Sequence, residues 1–99
     1  MNDKSGYGHD NFPASPYREG NKVLIRTVTH YWVGRIIQIG TWECLLSDAS
    51  WIPDTGRWSH ALKTGELEEI EPTPGVVSVK SDTIVDVVFW THPLPTEVK

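Results

Sequence analysis

Residues 23–49, V-L-I-R-T-V-T-H-Y-W-V-G-R-I-I-Q-I-G-T-W-E-C-L-L-S-D-A, decide the fold of this chain together with residues 77–87, V-S-V-K-S-D-T-I-V-D-V. Both segments are rich in valine, isoleucine and threonine, which are enriched in strands because branched side chains pack well on a pleated surface. Short polar breaks divide both segments into runs of strand length. The two segments therefore predict a domain built from short β-strands.

Five strands are predicted, over residues 23–28, 31–39, 42–52, 76–80 and 83–90. Gly34 lies inside the second of them, where a glycine usually marks a bulge or a sharp bend. Small barrels need such bends in order to close. The pattern therefore indicates an all-β fold, a small and strongly curved five-stranded barrel, and it leaves OB-like, SH3-like and Sm-like barrels open.

Residues 53–75 separate the third predicted strand from the fourth and form an insert. Proline and glycine near both of its ends break the strand pattern. A short helix is predicted over residues 57–63, because Trp58, Ala61 and Leu62 recur at the i, i+3, i+4 spacing of one helix face. The apolar side chains of the insert predict that it folds onto the barrel instead of staying in solvent.

Two flanking segments complete the predicted domain organisation. Residues 1–20 form an N-terminal arm that is rich in glycine, serine, asparagine and proline, a composition typical of irregular structure. The arm also carries Tyr7, Phe12 and Tyr17, and these aromatic side chains leave open whether it docks on the domain. Residues 91–99 form a C-terminal tail, whose prolines prevent it from continuing a sheet.

Composition restricts the classes of partner. The chain has 99 residues, enough for one small domain, and a formal net charge of −4. A protein that binds duplex DNA non-specifically needs a basic surface, so duplex DNA is not expected as a partner. The five tryptophans exceed what one small core needs, and tryptophan is enriched at interfaces. The aromatic content therefore indicates binding to other molecules or to copies of the same chain.

The sequence carries no pattern of catalysis, cofactor binding or membrane insertion. Cys44 is the single cysteine, and the four histidines are scattered without a second ligand at metal-binding spacing, so no metal site is expected. No serine lies in the nucleophile-elbow motif of α/β-hydrolases. The first residues lack the apolar run of a signal peptide, and no run approaches the roughly 20 apolar residues of a membrane span. We expect a cytoplasmic protein that is not an enzyme and that needs no cofactor.

The two segments quoted above resemble, in order, the two sequence motifs of the Sm-like family of small β-barrels. Gly34 matches the fixed glycine of that family's second strand, and Asp48 and Ala49 match the end of its third strand. The hexapeptide V-K-S-D-T-I at residues 79–84 lies in register with the family's Ile-Arg-Gly-Asp-x-Ile motif. The resemblance covers residues 21–90 and implies a five-stranded Sm-like (SH3-like) barrel with a short helical insert between strands 3 and 4. It also implies a ring, in which the fourth strand of one subunit pairs with the fifth strand of the next.

The resemblance implies a ligand site at two loops, one before the third strand and one after the fourth. The residues at these positions are Trp42, Lys80, Ser81 and Asp82. A tryptophan ring can stack on any base, and a lysine can meet a phosphate, so the implied ligand is single-stranded RNA or a nucleotide. Three residues depart from the family at this site: Glu43 repels phosphate, Lys80 lacks the bidentate fork of arginine, and Ser81 replaces a glycine.

The leading interpretation is a non-enzymatic module that forms a cyclic homo-oligomer of about five to seven subunits and binds single-stranded nucleic acid or a nucleotide-like ligand. One alternative is a structural or assembly protein of a phage or other particle, with no small ligand. A second alternative is a sponge that sequesters nucleotide signals. Residues 49–65, A-S-W-I-P-D-T-G-R-W-S-H-A-L-K-T-G, and 84–95, I-V-D-V-V-F-W-T-H-P-L-P, also resemble small proteins of phages and prophages, which implies the cytoplasm of a host.

Overall fold

Six strands and one helix make up the part of the chain that the structure describes, residues 14–99 of a computed structural model. The strands are β1 (Lys22–Thr27), β2 (Tyr31–Ile39), β3 (Glu43–Asp54), β4 (Glu69–Pro72), β5 (Val77–Lys80) and β6 (Ile84–Phe89). The helix, α1 (Trp58–Thr64), lies between β3 and β4, and a 3₁₀ turn (Ser81–Thr83) joins β5 to β6. The predicted all-β class is confirmed. Within residues 14–99, no helix is both long enough and apolar enough to cross a membrane.

The sheet is antiparallel and is organised around the long strand β3. Its strand order is β4-β3-β2-β1-β6, and β5 lies off this path. One edge of β3 pairs with β2, and the other edge pairs with β5 along its first half and with β4 along its second half. β6 pairs with β1. One end of the sheet is shared by β4 and β5, and the other end is β6, so β5 and β6, which are neighbours in the sequence, lie at opposite ends of the strand order.

Two features of the predicted barrel are corrected. The sheet has six strands instead of five, because residues Glu69–Pro72 of the insert pair with the second half of β3. The sheet is also not closed, since in the described part of the chain β5 pairs only with β3 and β6 only with β1. The sequence predicted that the third strand ends before Pro53, but β3 continues through Pro53 to Asp54. Pro53 follows the last pair between β2 and β3, at Ile52, so its missing N–H breaks no ladder bond.

Both faces of the sheet are covered, so the middle of β1 is buried on both sides. Val23, Leu24 and Ile25 have no exposed surface. The first core comprises Val23, Ile25, Ile36, Cys44, Leu46, Ala49 and Val79. The second core comprises Leu24, Val33, Ile52, Ala61, Leu67, Ile70 and Trp90. Because successive side chains of a strand point to opposite faces, the two cores lie on opposite sides of β1.

The insert and the C-terminal tail cover the second core. Ala61, Leu67 and Ile70 of the insert are buried in it, which confirms that the insert folds onto the sheet. Trp90 enters the same core just after β6, and its indole Nε1 donates to a carbonyl of the tail at 3.1 Å. The backbones of Lys99 and Ile70 exchange hydrogen bonds of 3.0 and 2.9 Å. The tail is therefore anchored at both of its ends.

Only the last part of the predicted N-terminal arm falls within the described residues. Tyr7 and Phe12, two of its three aromatic residues, lie outside them. Tyr17 packs against the first core. The Gly20 N–H donates to the carbonyl of Ile36 in β2 at 2.7 Å. The described end of the arm is therefore docked on the sheet.

Candidate ligand-binding site

The four residues that the sequence predicts as ligand contacts line one cleft. Trp42, Lys80, Ser81 and Asp82, together with Thr41, surround a space of about 490 Å³. The turn between β2 and β3 supplies the threonine and the tryptophan, and the end of β5 with the 3₁₀ turn supplies the other three. We call this space the turn cleft.

The pairing of β5 with β3 brings the two halves of the turn cleft together. Glu43, at the start of β3, lies directly opposite Lys80, at the end of β5. Beyond that pair, the Ser81 N–H donates to the Trp42 carbonyl at 2.9 Å. Antiparallel pairing thus places side by side two turns that are far apart in the sequence, and backbone hydrogen bonds hold both of them.

The charged side chains at the turn cleft are Lys80 and Asp82, which line it, and Glu43, which lies beside Lys80. Lys80 Nζ lies 3.7 Å from Glu43 Oε1, and the Ser78 hydroxyl donates to the same oxygen at 2.5 Å. Asp82 contributes the second carboxylate. The side chains of Lys80 and Glu43 are 65% and 43% exposed, and exposed ion pairs contribute only about 0–1 kcal/mol. Lys80 can therefore exchange Glu43 for an anionic ligand group at little cost.

Trp42 offers a flat apolar surface at the mouth of this site. The residue is 80% exposed, although tryptophan is highly buried on average. A planar ligand stacked on its ring would remove apolar surface from water. Lys80 can then donate to the ligand and Asp82 can accept from it. The turn cleft is thus suited to a planar ring that is bound by its face and by its polar edge.

Ser81 also lines a second cleft, which the sequence analysis missed. This arm cleft, of about 350 Å³, lies between residues 15–17 and the strand β6. Ser81 Oγ is buried and has no hydrogen-bond partner among the described residues. Ser81 is near enough to the Tyr17 hydroxyl to affect the pKa of Tyr17, but the two hydroxyls do not meet the geometry of a hydrogen bond. The aromatic residues of the arm were the only sequence signal for this cleft.

Two titratable groups meet where the arm docks, Tyr17 of the arm and Cys44 of β3. Burial raises the pKa of the Cys44 thiol, and burial also raises the pKa of the Tyr17 hydroxyl. Both groups are therefore neutral near pH 7, and the nucleophilic form of cysteine is the thiolate. Within residues 14–99, no group of three or more His, Cys, Asp or Glu side chains is placed to hold a metal ion.

Comparison with known proteins gives no relative from which the function of the turn cleft could be inferred. No family model, curated protein or solved structure matches this chain. The resemblance of its two motifs to the Sm-like family therefore stays a prediction, and function has to be inferred from the residues themselves.

The tryptophans differ in burial, and this difference distinguishes those that stabilise the core from those that can contact other molecules. Trp90 is 2% exposed and is the one tryptophan in the cores. Trp42, Trp51 and Trp58 are 80%, 42% and 36% exposed. Trp32 is half-buried and packs against the first core. Three large aromatic side chains thus remain available for contacts with other molecules, which is the surplus that the composition suggested.

Proposed function

We propose that this chain is a non-enzymatic binding module that assembles into a ring of Sm-like barrels and binds single-stranded nucleic acid or a nucleotide-like ligand in the turn cleft. The observation that carries the proposal is the meeting of Trp42, Lys80, Ser81 and Asp82 around one space. Their side chains provide a stacking surface, a cation and polar groups for the edge of a base. Such combinations bind single strands because every base has a face on which an aromatic ring can stack.

The open sheet supports the assembly part of the proposal. β5 pairs with β3 and β6 pairs with β1, so each leaves one edge without a partner among the described residues. Apolar side chains flank these edges: Val76, Val85 and Phe89 are 57%, 53% and 45% exposed. Unpaired apolar edges promote aggregation unless they are covered. Pairing β5 of one subunit with β6 of the next covers both edges, and the head-to-tail contact closes into a ring when its rotation allows.

The ring is tested by placing a charge on the edge strand. Val85→Lys is expected to shift the protein from a cyclic oligomer to a monomer, because lysine on an edge strand blocks further pairing. Native mass spectrometry reports the number of subunits directly. Val28→Lys is the matched control, since Val28 is 73% exposed and lies in the turn after β1. This control should keep the oligomer of the unaltered protein.

Two results would contradict a ring that is closed by pairing of β5 with β6. The unaltered protein would be a stable monomer at micromolar concentration, or the control Val28→Lys would dissociate the oligomer as fully as Val85→Lys does. Either result would leave the edges to be covered in some other way.

The turn cleft is tested by removing its stacking surface and its cation separately. Trp42→Ala is expected to weaken binding of single-stranded oligonucleotides by about 1–3 kcal/mol, which is the usual contribution of one stacked base. Lys80→Ala should weaken binding and also reduce its dependence on salt by roughly one charge. Fluorescence titration at several salt concentrations measures both effects. Trp51→Ala removes a surface tryptophan outside the turn cleft and should leave binding unchanged.

Two outcomes would contradict the site. The first is absence of binding to any nucleotide or oligonucleotide at low salt, together with an ultraviolet spectrum that shows no co-purified nucleic acid. The second is dissociation of the oligomer by Trp42→Ala, which would make Trp42 an interface residue.

A structural or assembly protein is the second candidate function. It is favoured by the carboxylate of Asp82 in the turn cleft, by that of Glu43 beside Lys80, and by the overall charge of −4, because negative charge repels a polyanion. In this case the surface tryptophans make subunit contacts and the ring forms without a ligand. The titrations above separate the candidates, since only the binding module responds to Trp42→Ala in a ligand assay.

A further inference from the structure

A third cleft lies where the insert meets β1 and β6. It is lined by Arg26, Tyr31, Trp58 and Asp86 and has a volume of about 300 Å³. It shares no residue with the turn cleft, whereas Asp86 lies on β6, one of the two edge strands, and also lines the arm cleft. We call it the insert cleft, because Trp58 at the start of α1 forms one of its walls.

The polar wall of the insert cleft is a cross-strand ion pair. Arg26 of β1 is directly opposite Asp86 of β6. The Arg26 guanidinium donates from Nε to both Asp86 oxygens at 3.2 Å and from Nη2 to Oδ2 at 2.5 Å. Its Nη1 makes no hydrogen bond to any described residue, and each carboxylate oxygen can accept more than the pair uses. A free donor of Arg26 and free acceptor sites of Asp86 therefore lie side by side on two paired strands.

The apolar wall is formed by two aromatic rings. The centroids of Tyr31 and Trp58 are 5.8 Å apart, and the ring planes are tilted by 41°. Trp58 is 36% exposed and Tyr31 is half-buried. The two ring planes are thus inclined to each other, unlike the parallel aromatic rings that stack on both faces of a flat base.

The charge of the cleft selects an uncharged ligand. Arg26 and Asp86 neutralise each other, so an anion has to displace the carboxylate and a cation has to displace the guanidinium. Both exchanges give up a bidentate, charge-assisted contact. A phosphate-bearing ligand also meets the net charge of −4. A neutral molecule with hydroxyl groups can bond to the free N–H groups and lone pairs without breaking the ion pair.

We propose that the insert cleft binds a neutral pyranose sugar. A pyranose has an apolar face of C–H groups, which fits against Trp58 and Tyr31. Its neighbouring hydroxyls can each donate or accept, so one accepts from Arg26 Nη1 while the next donates to Asp86. Small ligand sites combine an apolar wall with a few placed polar groups in this way. The site adds a carbohydrate-binding activity that is independent of the turn cleft.

The experiment is a titration of the full chain with neutral trisaccharides built from glucose, galactose, mannose or N-acetylglucosamine. Binding is followed by the indole N–H resonance of Trp58 in ¹H–¹⁵N spectra, which is assigned by its loss in the variant Trp58→Phe. At least one sugar is expected to shift this resonance saturably in the millimolar range. The affinity should not change between low and high salt, because the ligand is uncharged.

Three variants locate the site. Trp58→Ala is expected to weaken binding by at least about tenfold. Asp86→Asn keeps the shape of the cleft and should weaken binding too, because it removes an acceptor and loosens Arg26. Trp42→Ala should bind sugar normally, so failure of the turn cleft and failure of this site give different results. Thermal unfolding confirms that each variant is folded.

The proposal is overturned if no sugar of the panel shifts the Trp58 resonance. It is also overturned if Trp42→Ala weakens sugar binding as much as Trp58→Ala does, or if binding falls steeply with salt. A nucleotide that shifts the Trp58 resonance when no sugar does would reassign the cleft to a base.

Discussion

Trp90→Ala is expected to lower the free energy of unfolding by about 3–5 kcal/mol, the usual cost of deleting a fully buried aromatic side chain. Trp90 is 2% exposed and belongs to the second core. Its ring packs edge-on against His92 with centroids 5.0 Å apart, and its Nε1 donates to the tail. The substitution therefore leaves a cavity and also removes two of the contacts that hold the tail, the Nε1 hydrogen bond and the packing on His92. Urea denaturation of the purified protein measures the loss.

Trp42→Ala is the matched control for this prediction. It deletes the same side chain at a position that is 80% exposed, so the free energy of unfolding should change by no more than about 0.5 kcal/mol. Trp90→Phe should fall between the two, because it keeps most of the volume but loses the Nε1 hydrogen bond. Equal losses for Trp90→Ala and Trp42→Ala would show that Trp90 is not buried in the second core.

The main strands could be predicted from the sequence because each has a strong local pattern. The second predicted strand, residues 31–39, coincides with β2 (Tyr31–Ile39). β4 had no such pattern, since E-I-E-P contains Ile70 as its single aliphatic residue among two glutamates and a proline. It is a strand because the second half of β3 offers it a free edge. A pairing of this kind depends on the tertiary fold and not on the segment itself.

The face of the sheet that each side chain of β3 occupies could not be predicted, because a bulge interrupts the regular alternation. Regular alternation places Asp48 and Ser50 on the same face as Cys44 and Leu46. In the structure Asp48 has φ 50°, and the register with β2 shifts at this position. Ala49 and Ser50 are consequently both buried, one on each side of the sheet. A single residue in a left-handed conformation thus reverses the pattern of the residues that follow it.

The residues of the turn cleft could be predicted from the sequence, whereas those of the insert cleft could not. The residues of the turn cleft occupy loop positions that the two motifs define, and the pairing of β5 with β3 brings them together. The insert cleft joins Trp58 to Arg26, Tyr31 and Asp86, which share no motif. Asp86 lies in an apolar strand, where an unpaired charge is costly, but the sequence does not choose between Arg26 and Arg35 as its partner. The position of α1 beside this pair depends on packing of the second core.

Gly34→Val is expected to destabilise the fold by about 1–3 kcal/mol or more, the usual cost of overpacking. A Cβ at Gly34 would lie 3.2 Å from both Cα and Cβ of Ala49 and 3.2 Å from the Ser47 carbonyl oxygen. These contacts are on the bulged part of β3, so relief requires movement of a buried backbone. The backbone of Gly34 does not have positive φ. The glycine is therefore required for the space it leaves between β2 and β3.

Gly40→Ala tests the same change where space is available. A Cβ at Gly40 would meet only the Glu43 carbonyl, at 3.5 Å, which is an ordinary contact, and Gly40 also lacks a positive φ. Alanine there should be neutral or slightly stabilising, since it restricts the unfolded chain. Gly34→Ala should lie between Gly40→Ala and Gly34→Val, because Ala49 has to yield by only a few tenths of an ångström. If all three variants melted at the temperature of the unaltered protein, Gly34 would not lie against the bulge of β3, and the curvature of the sheet would need another cause.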